Sequence, residues 1–461
     1  MRQQSSGTVL GTDFTTGRIF PLLVRFMLPF VLANLLNSLY NTVDTIIIGR
    51  FVGSVGIVSV NMGGRLLNLF TQIGVTLAGG GQVLISQLYG AKQREEFNST
   101  IGTMFTEMLV FSVVLGGSSA LLAEPFLQLL NTPQESMEGA MAYLRITSLG
   151  LPLIFGYNAV SSVLRGMGDS RSPLIFIAIA AVINLIGDII FIVLFDLGAA
   201  GTAIATVLGQ GLSLLFSLVV LYRRRDHFGF DFRLRSFAVD WHKLGIMLKI
   251  GFPMTLRVIC INFTQMYIIS LVNLYGLAES AAYSISDKLI HLTSIFTGSA
   301  RQACGSMIGQ NIGANRHDRV RGVVKVCLGV TVCAASVLAA CSLLFPTSIF
   351  SLFSSDPAVL AYARSFMAIA GLTYLLGGIL APYESVITGT GHSLLAFIGG
   401  MLDGVVFRLG FSYLLVYVFD WGIAGFFMGD SLARLGPILV STIYYYSGAW
   451  HKRKRLMDQR R

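Results

Sequence analysis

Hydrophobic runs long enough to cross a membrane recur along nearly the whole chain and leave little room for a soluble domain. There are about twelve runs of about 20 residues, each able to span about 30 Å of hydrocarbon. Only 12% of the 461 residues are charged, about half the fraction of a soluble domain. Runs of this length fit helices that satisfy their own backbone in lipid, so we predict an all-α, multi-pass membrane protein. The predicted spans are 22–48, 56–81, 97–122, 141–163, 173–195, 200–222, 246–274, 283–308, 320–345, 361–387, 394–418 and 422–447, of which the second and eighth are the most polar.

Basic residues occupy alternate loops, and this pattern predicts the orientation in the membrane. Under the positive-inside rule it indicates an even number of spans with both termini cytoplasmic, in the cell membrane. The net charge of +10 is therefore explained by cytoplasmic loops that set the topology and by a basic tail that anchors on anionic lipids. We expect no nucleic acid partner. The basic loops hold Lys92 and Arg94; Arg165 and Arg171; Arg223, Arg224, Arg225, Arg233 and Arg235; Arg316, Arg319 and Arg321; and, in the tail, Lys452, Arg453, Lys454, Arg455, Arg460 and Arg461.

The N-terminal region and the cysteines carry no processing or redox signal. The first run is too long for the apolar core of a signal peptide, so we expect no cleavage. Cys260, Cys304, Cys327, Cys333 and Cys341 all fall within predicted spans and lack metal-ligand spacing. We interpret them as packing residues rather than as a disulfide framework.

The two halves of the chain repeat the same motifs in the same order. The matching segments are 28–29 with 252–253, 87–92 with 310–315, 163–170 with 386–393, and 195–201 with 419–425. Each half holds an even number of spans, so both enter the membrane in the same sense, related by an axis along the membrane normal. We predict an N-terminal six-helix lobe at 1–222, a cytoplasmic linker at 223–243, a C-terminal six-helix lobe at 244–450 and a basic tail at 451–461. A central cleft is expected between the lobes.

Asp44 is the first candidate functional residue, because a carboxylate inside a membrane helix costs roughly 2.5–3.5 kcal/mol on insertion scales. The fifth span adds Asn184 and Asp188, which lie four residues apart on one helix face, and the sixth adds Thr206. Together these groups could share a proton between two carboxylates or supply hard oxygen ligands to a small cation. The structural alternative is that either aspartate pairs with a basic side chain or lies near the interface.

The other charged residues in the spans are interpreted mainly as interhelical pairs or as snorkelling side chains. Arg65 and Lys288 occupy equivalent repeat positions, and Asp403 and Arg408, five residues apart, are poorly spaced for a pair on one helix. Asp287 and Glu384 remain secondary candidates. The sequence leaves open the roles of Arg65, Lys288, Arg301, Asp403 and Arg408. The full group is Arg65, Glu107, Arg257, Asp287, Lys288, Arg301, Glu384, Asp403, Arg408, Asp430 and Arg434.

Four motifs together resemble the multidrug and toxic compound extrusion (MATE) family, over essentially the whole chain. They are Pro29-x14-Asp44 in the first span, the turn 87–92 (Gln-Leu-Tyr-Gly-Ala-Lys), the turn 164–169 (Leu-Arg-Gly-Met-Gly-Asp) and Asn184-x3-Asp188 in the fifth span. The resemblance implies two six-helix bundles facing a central cleft and drug export driven by protons or cations. It places the chain nearer the DinF-like branch.

The resemblance also implies roles for particular residues. It assigns proton or cation coupling to Asp44, Asn184, Asp188 and Thr206. It assigns cavity lining in the first lobe to four further residues, namely Asn37, Tyr40, Tyr143 and Asn158. Another branch of the family has a cation site in the second lobe, but here the seventh span offers only Arg257 and Gln265 and Glu384 lies too close to the glycine turn, so coupling is expected in the first lobe.

The resulting hypothesis is a secondary antiporter that exports cationic or amphipathic small molecules in exchange for H⁺ or Na⁺ by alternating access. The first helix is expected to bend at Pro29, which removes a backbone hydrogen bond. We expect no cofactor, no bound metal, a monomer, and contacts with membrane lipids. One alternative is a flippase for a lipid-linked precursor, for which Arg65, Arg257, Lys288 and Arg301 could hold a diphosphate. A membrane-embedded enzyme is disfavoured because no catalytic motif is visible.

Overall fold

A computed structural model describes residues 11–223 and 225–458, with the side chains of 226 and 227 also left out. The predicted basic residues Arg224, Arg460 and Arg461 lie outside this part of the chain. Within it every predicted span coincides with a helix, which confirms the all-α fold.

The twelve long helices α1–α12 have the following bounds: α1 Ile19–Phe51, α2 Ser54–Gly90, α3 Phe97–Leu121, α4 Gln134–Leu149 with Leu151–Gly166, α5 Arg171–Asp188, α6 Gly198–Arg223, α7 Trp241–Val272, α8 Leu277–Gly313, α9 His317–Leu344, α10 Ala363–Gly389, α11 Ser393–Met401 with Arg408–Tyr413, and α12 Ile423–Ala433 with Leu435–Tyr446.

Short helices and π-helical turns complete the described structure. The π-helical turns extend α5 and interrupt α11, where one residue more than usual is accommodated in each turn. The π-helices are Ile189–Leu194, Leu402–Phe407 and Leu414–Val418; the short α-helices are Ala123–Leu129, Arg225–Phe228, Pro346–Ser351 and Pro357–Leu360; the 3₁₀-helices are Arg94–Glu96, Leu234–Phe237, Ala449–Lys452 and Leu456–Asp458.

Length and composition qualify nearly all of the long helices as membrane spans. Within 11–223 and 225–458, ten helices are long and apolar enough to cross a membrane, and α4 makes eleven if its two halves, bent by 48°, form one span. The remaining helix, α8, exposes polar side chains along one face, including Ser284, Asp287, Lys288 and His291. These residues recur at intervals of three and four, so they form one stripe that requires water rather than lipid.

The backbone repeats as the sequence does. Residues with positive φ occur at corresponding points of both halves, where the chain turns between helices. Asp196 (φ 54°) precedes α6, and Asp420 (φ 57°) precedes α12. The corresponding pairs are Gly53 with Gly276, Lys92 with Asn315, Gly168 with Gly391, Asp196 with Asp420, and Gly198 with Gly422. Both halves therefore use the same turn conformations between equivalent helices.

The chain divides into two compact units whose boundaries differ from the predicted lobes. Among the described residues, unit 1 comprises 11–13 together with Leu28–Gly251, and unit 2 comprises Phe14–Met27 and residues 252–458. Helix α1 thus passes from unit 2 to unit 1 just before Pro29, and α7 passes from unit 1 to unit 2 just before Pro253. The predicted boundaries at 222 and 244 do not anticipate either crossing.

The N-terminal segment is attached to unit 2 by side chains of α8 and α9. Gln310 Oε1 accepts a hydrogen bond from the backbone N–H of Phe14 at 3.0 Å. The Arg319 guanidinium donates to the backbone carbonyls of Phe14, Thr16 and Gly17 at 2.9–3.2 Å. Phe14 itself is fully buried. These contacts explain why residues 14–27 belong to unit 2 rather than to the predicted N-terminal lobe.

The predicted linker 223–243 is not a loose connection, because its described part is folded onto α3 of unit 1. Thr106 donates to the backbone carbonyl of Phe237 at 2.7 Å, and Asp240 N donates to Thr103 at 3.0 Å. Lys243 is buried and pairs with the Glu96 carboxylate at 2.6 Å. Leaving a buried lysine without its partner is costly, so this segment is a structural part of unit 1.

Gly102→Ala is expected to destabilise the protein by about 1–3 kcal/mol through overpacking. A Cβ at Gly102 would collide with the backbone oxygen of Ser236 in the linker segment. The matched control is Gly117→Ala on the same helix, where a Cβ meets open space and alanine favours the helix by roughly 0.5–1 kcal/mol. Thermal unfolding of the purified variants measures both. Equal melting temperatures for the two variants would contradict the packing of the linker on α3.

Candidate functional site

Helix α1 places three of the predicted residues on one face. Asn37, Tyr40 and Asp44 are spaced by three and four residues, which aligns their side chains along a helix. Asp44 is buried at 7% exposure, while Asn37 and Tyr40 are half-buried. Pro29 lies inside the same helix, on its N-terminal side. The carboxylate is thus held by a long helix that lacks one backbone hydrogen-bond donor upstream.

Helices α5 and α6 pack together and bring the other three predicted residues to Asp44. Asn184 contacts Thr206 Oγ1 at 3.2 Å. In the orientation that satisfies both ends of the Asn184 amide, its nitrogen donates to Asp44 Oδ1 at 2.7 Å. The Thr206 hydroxyl lies 2.9 Å from the Thr202 carbonyl, one helical turn earlier. Residues from three helices of unit 1 therefore meet in one polar cluster.

The Asp188 carboxylate completes this cluster and lacks a donor. Asp188 is fully buried at the end of α5, and its side chain lies within hydrogen-bond reach of Asp44. No N–H or O–H group of the described residues donates to either of its oxygens. Two carboxylates in contact disfavour double ionisation. A shared proton, or a small cation, is the species that this geometry can accommodate.

Tyrosine side chains surround the two carboxylates. Tyr143 of α4 is buried, and its side chain lies close to Thr206. Tyr40 and Tyr143 both lie close enough to Asp44 to interact with it electrostatically. Tyr157, which the sequence analysis did not single out, lies near Tyr40 and donates to the Pro173 carbonyl at 3.2 Å. Its position next to the predicted residue Asn158 was the one available signal.

Asn158 lies buried on the second half of α4. Its predicted role in lining a cavity, like that of Asn37, stays a prediction. No group of three or more His, Cys, Asp or Glu residues within the described ranges is arranged to hold a metal ion.

The secondary candidate Glu384 is engaged in an ion-pair cluster of unit 2. Its Oε1 accepts from Arg257 Nη1, and its Oε2 accepts from Arg301 Nη1 at 2.9 Å. Glu384 is buried, Arg257 is nearly so, and the Arg301 side chain is 43% exposed. Both carboxylate oxygens therefore already have cationic partners. Glu384 is thus held in an ion-pair cluster, and its role as a secondary candidate stays a prediction.

A second ion-pair cluster in unit 2 corrects the expectation that Asp403 and Arg408 are poorly spaced for a pair. Arg408 Nη2 binds Asp403 Oδ1 at 2.9 Å, and Arg408 Nη1 binds Asp430 Oδ1. Residues five apart meet because Leu402–Phe407 is π-helical, with hydrogen bonds from each residue to the fifth one on. Arg434 approaches Asp430 Oδ2 at 3.5 Å. Asp403 and Arg408 thus have structural roles in this unit.

The remaining candidates of unit 2 are more exposed to solvent or lipid than Glu384 and Asp403. Asp287 is exposed on α8, with Arg408 and Arg434 close enough to interact electrostatically. Gln265 is half-buried on α7. Lys288 is exposed on α8, as Arg65 is on α2 of unit 1. Among the ion pairs of the described residues none includes Arg65, Lys288 or Asp287.

Comparison with known proteins agrees with the repeated fold. The MatE family model matches residues 29–190 and matches again at residues 253–414. The chain belongs to the MATE family. It is therefore a membrane transporter of a multidrug efflux family and not an enzyme. The double match covers the same two stretches in which the motifs and turn conformations repeat.

Individual MATE proteins resemble the chain over nearly its full length. A "Probable multidrug resistance protein YpnP" of Bacillus subtilis is 27% identical over 97% of this chain and 99% of its own. "Multidrug export protein MepA" of Staphylococcus aureus is 23% identical over 93% of this chain and 94% of its own. A solved "MOP superfamily transporter from Pyrococcus furiosus" has a TM-score of 0.89, with 19% identity over 97% of this chain and 100% of its own. These comparisons show the family and the fold.

Proposed function

We propose that this MATE protein is a secondary antiporter whose coupling site is the polar cluster of unit 1. Asp44 and Asp188 bind a proton, or Na⁺, from outside, and the protein releases it inside while exporting a cationic or amphipathic compound. Asn184 and Thr206 orient Asp44. The names of the relatives, which describe multidrug resistance and export, support a broad range of small-molecule substrates.

One observation carries the proposal, namely the contact between Asp44 and a fully buried Asp188 that receives no hydrogen bond from a described donor. Burying such a pair as two charges is strongly unfavourable. The pair is stable when it holds one positive charge, and it becomes strained when that charge leaves. Binding and release of the ion therefore change the stability of this region, which is the differential affinity that coupled transport requires.

Helix α1 offers a route by which the ion can affect the conformation. The same helix carries Asp44, contains Pro29, and passes from unit 2 to unit 1 between Met27 and Leu28. Because proline removes one backbone hydrogen bond, the helix bends more easily there. We infer that neutralising Asp44 changes its bonds to Asn184 and shifts α1 about Pro29, and that this movement underlies alternating access.

The coupling ion is tested with dye efflux from energised right-side-out vesicles that contain the protein. The shared-proton geometry leads us to expect that collapsing the proton gradient stops efflux, while collapsing a sodium gradient leaves it unchanged. Vesicles without the protein give the background. Efflux that continues without a proton gradient but stops without sodium would assign the pair to Na⁺. Efflux that survives the loss of both gradients would reject secondary antiport.

The flippase alternative receives less support from the geometry. Of the four cations that could hold a diphosphate, Arg257 and Arg301 are bound to Glu384. Their charge is therefore partly neutralised within unit 2. Lys288 and Arg65 remain exposed, but they are placed on separate helices of different units. Antiport is the function that the described contacts favour.

A further inference from the structure

A groove of about 680 Å³ lies on unit 2, between α9 and α10, and the proposed transport function does not use it. Its walls are mainly apolar, with one cation and one phenol among them. The residues that matter for its chemistry are Lys325, Leu328, Gly329, Val332, Ile379 and Tyr383. On α9 the members are spaced by three and four residues, so they form one stripe along the helix.

The polar groups are gathered at one end of this groove. Lys325 lies about 12 Å along the axis from His317, the first residue of α9, and Arg321 precedes it by one turn on the same face. Tyr383 lies near the C-terminal end of α10, and its hydroxyl is 3.3 Å from that of Tyr446. Leu328, Gly329 and Val332 continue away from this end. The groove is therefore cationic at one end and apolar along the rest.

The cations at this end of the groove are exposed and form no ion pair within the described part of the chain. Arg321 and Lys325 are both exposed. Neither takes part in an ion pair with any residue of the described ranges. Arg321 lies close enough to Tyr445 and His451 to interact with them electrostatically. The end of α9 that carries them follows the basic loop that the sequence predicts to be cytoplasmic.

Gly329 leaves space in the middle of the groove. A Cβ built on Gly329 meets no atom within 4 Å, although its neighbours Leu328 and Val332 line the same groove. The open space at Gly329, with aliphatic side chains beside it, suits an extended hydrocarbon chain. A soluble anion would not contact the apolar walls, and an uncharged lipid would not pair with the two cations. A lipid with an anionic headgroup matches both parts of the groove.

We propose that this groove binds an anionic phospholipid, with its phosphate at Arg321 and Lys325 and one acyl chain along Gly329 between α9 and α10. The Tyr383 ring borders the chain just below the headgroup, at the depth where amphipathic rings are favoured. The predicted orientation places this lipid in the cytoplasmic leaflet. The proposal concerns unit 2 alone and does not depend on the coupling site of unit 1.

The test is lipid binding to the purified full-length protein, measured by native mass spectrometry. Phosphatidylglycerol and phosphatidylcholine with identical acyl chains are titrated separately. We expect the wild-type protein to bind phosphatidylglycerol more tightly. Lys325→Gln and Arg321→Gln should each weaken this binding by about fivefold, the effect of one cation near a lipid surface, and leave phosphatidylcholine unchanged. Gly329→Phe should weaken the binding of both lipids, because its side chain fills the trough.

Two control variants make the same kinds of substitution in unit 2 outside the groove. Arg364→Gln removes an exposed cation near the opposite end of α10, and Gly410→Phe adds a ring at another glycine of unit 2 where a Cβ meets open space. Both should bind lipid as the wild type does. Equal affinity of the wild type for the two lipids, or unchanged phosphatidylglycerol binding in Lys325→Gln, would overturn the proposal.

The native cysteines of α9 provide a second, local measurement. Cys333 is exposed and lines the groove, whereas Cys341, also exposed, does not line it. Phosphatidylglycerol is expected to slow maleimide labelling of Cys333 relative to Cys341, as read by peptide mapping. Lys325→Gln should remove this protection. Protection of both thiols alike, or of neither, would place the lipid elsewhere.

Discussion

Asp44→Asn is expected to reduce energised efflux to the level of vesicles without the protein, at unchanged abundance in the membrane. Asparagine keeps the size of the side chain and can still bond Asn184, but it can neither bind nor release a proton. The region then stays in the state that the neutral carboxyl favours, and the cycle stops. Efflux of a fluorescent substrate at matched protein levels measures the effect.

Asp287→Asn is the matched control, since it makes the same change in unit 2 on the exposed face of α8. If coupling is confined to unit 1, this variant retains efflux. Wild-type efflux in Asp44→Asn would reject the assignment of Asp44. Equal loss in both variants would contradict the restriction to unit 1.

Asp188→Asn separates a coupling role from a structural one. Both Asp188 oxygens are buried without a donor among the described residues, so an amide adds N–H groups beside Asp44 and removes a poorly solvated carboxyl. We expect efflux to fall to background while the melting temperature stays the same or rises, because functional sites often sacrifice stability. A fall in the melting temperature together with efflux would instead indicate a structural role.

The largest effect on stability is expected for Arg408→Met, at about 3–5 kcal/mol of destabilisation. Arg408 is buried at 3% exposure and binds the carboxylates of Asp403 and Asp430. Removing the guanidinium leaves two buried carboxylates, and the nearest remaining ion-pair contact is that of Asp430 with Arg434 at 3.5 Å. Thermal unfolding of the purified protein measures the loss.

The matched control for Arg408→Met is Arg316→Met, which removes an exposed arginine paired with Asp318 at 3.2 Å. Exposed pairs of this kind contribute about 0–1 kcal/mol, so its melting temperature should stay near that of the wild type. The triple variant Arg408→Met, Asp403→Asn, Asp430→Asn should recover part of the stability, because the unpaired charges are gone. No recovery would mean that packing of the arginine, rather than its charge, stabilises this cluster.

The spans, the repeat and the candidate carboxylates could all be predicted from the sequence. Hydropathy along a span and the spacing of Asn184 and Asp188 are local properties, because a membrane helix bonds its own backbone and shows the same periodicity wherever it packs. Asp44 could be singled out for the same reason, since a carboxylate in hydrocarbon is costly whatever its neighbours are. The family model then matched both halves in the stretches where the motifs repeat.

Contacts between distant segments could not be predicted in this way. The pair of Asp403 and Arg408 depends on a π-helical turn, which no hydropathy pattern reveals. The linker folds onto α3 through hydrogen bonds of Thr103 and Thr106. Threonine is common in membrane helices, so the sequence does not reveal these contacts. The segment 14–27 joins unit 2 because Gln310 and Arg319 bind its backbone. Each of these contacts depends on packing between segments far apart in the chain.

The sequence by itself determined that this chain is a multi-pass helical membrane protein with an internal repeat, and it singled out Asp44 and Asp188 as carboxylates that are costly to place in a membrane helix. Only the tertiary structure decided that the two carboxylates lie within hydrogen-bond reach of each other, that Asn184 donates to one of them, and that Glu384 pairs with two arginines. The physical reason is that periodicity and burial cost belong to single helices. The partners of a buried charge depend on how several helices pack together.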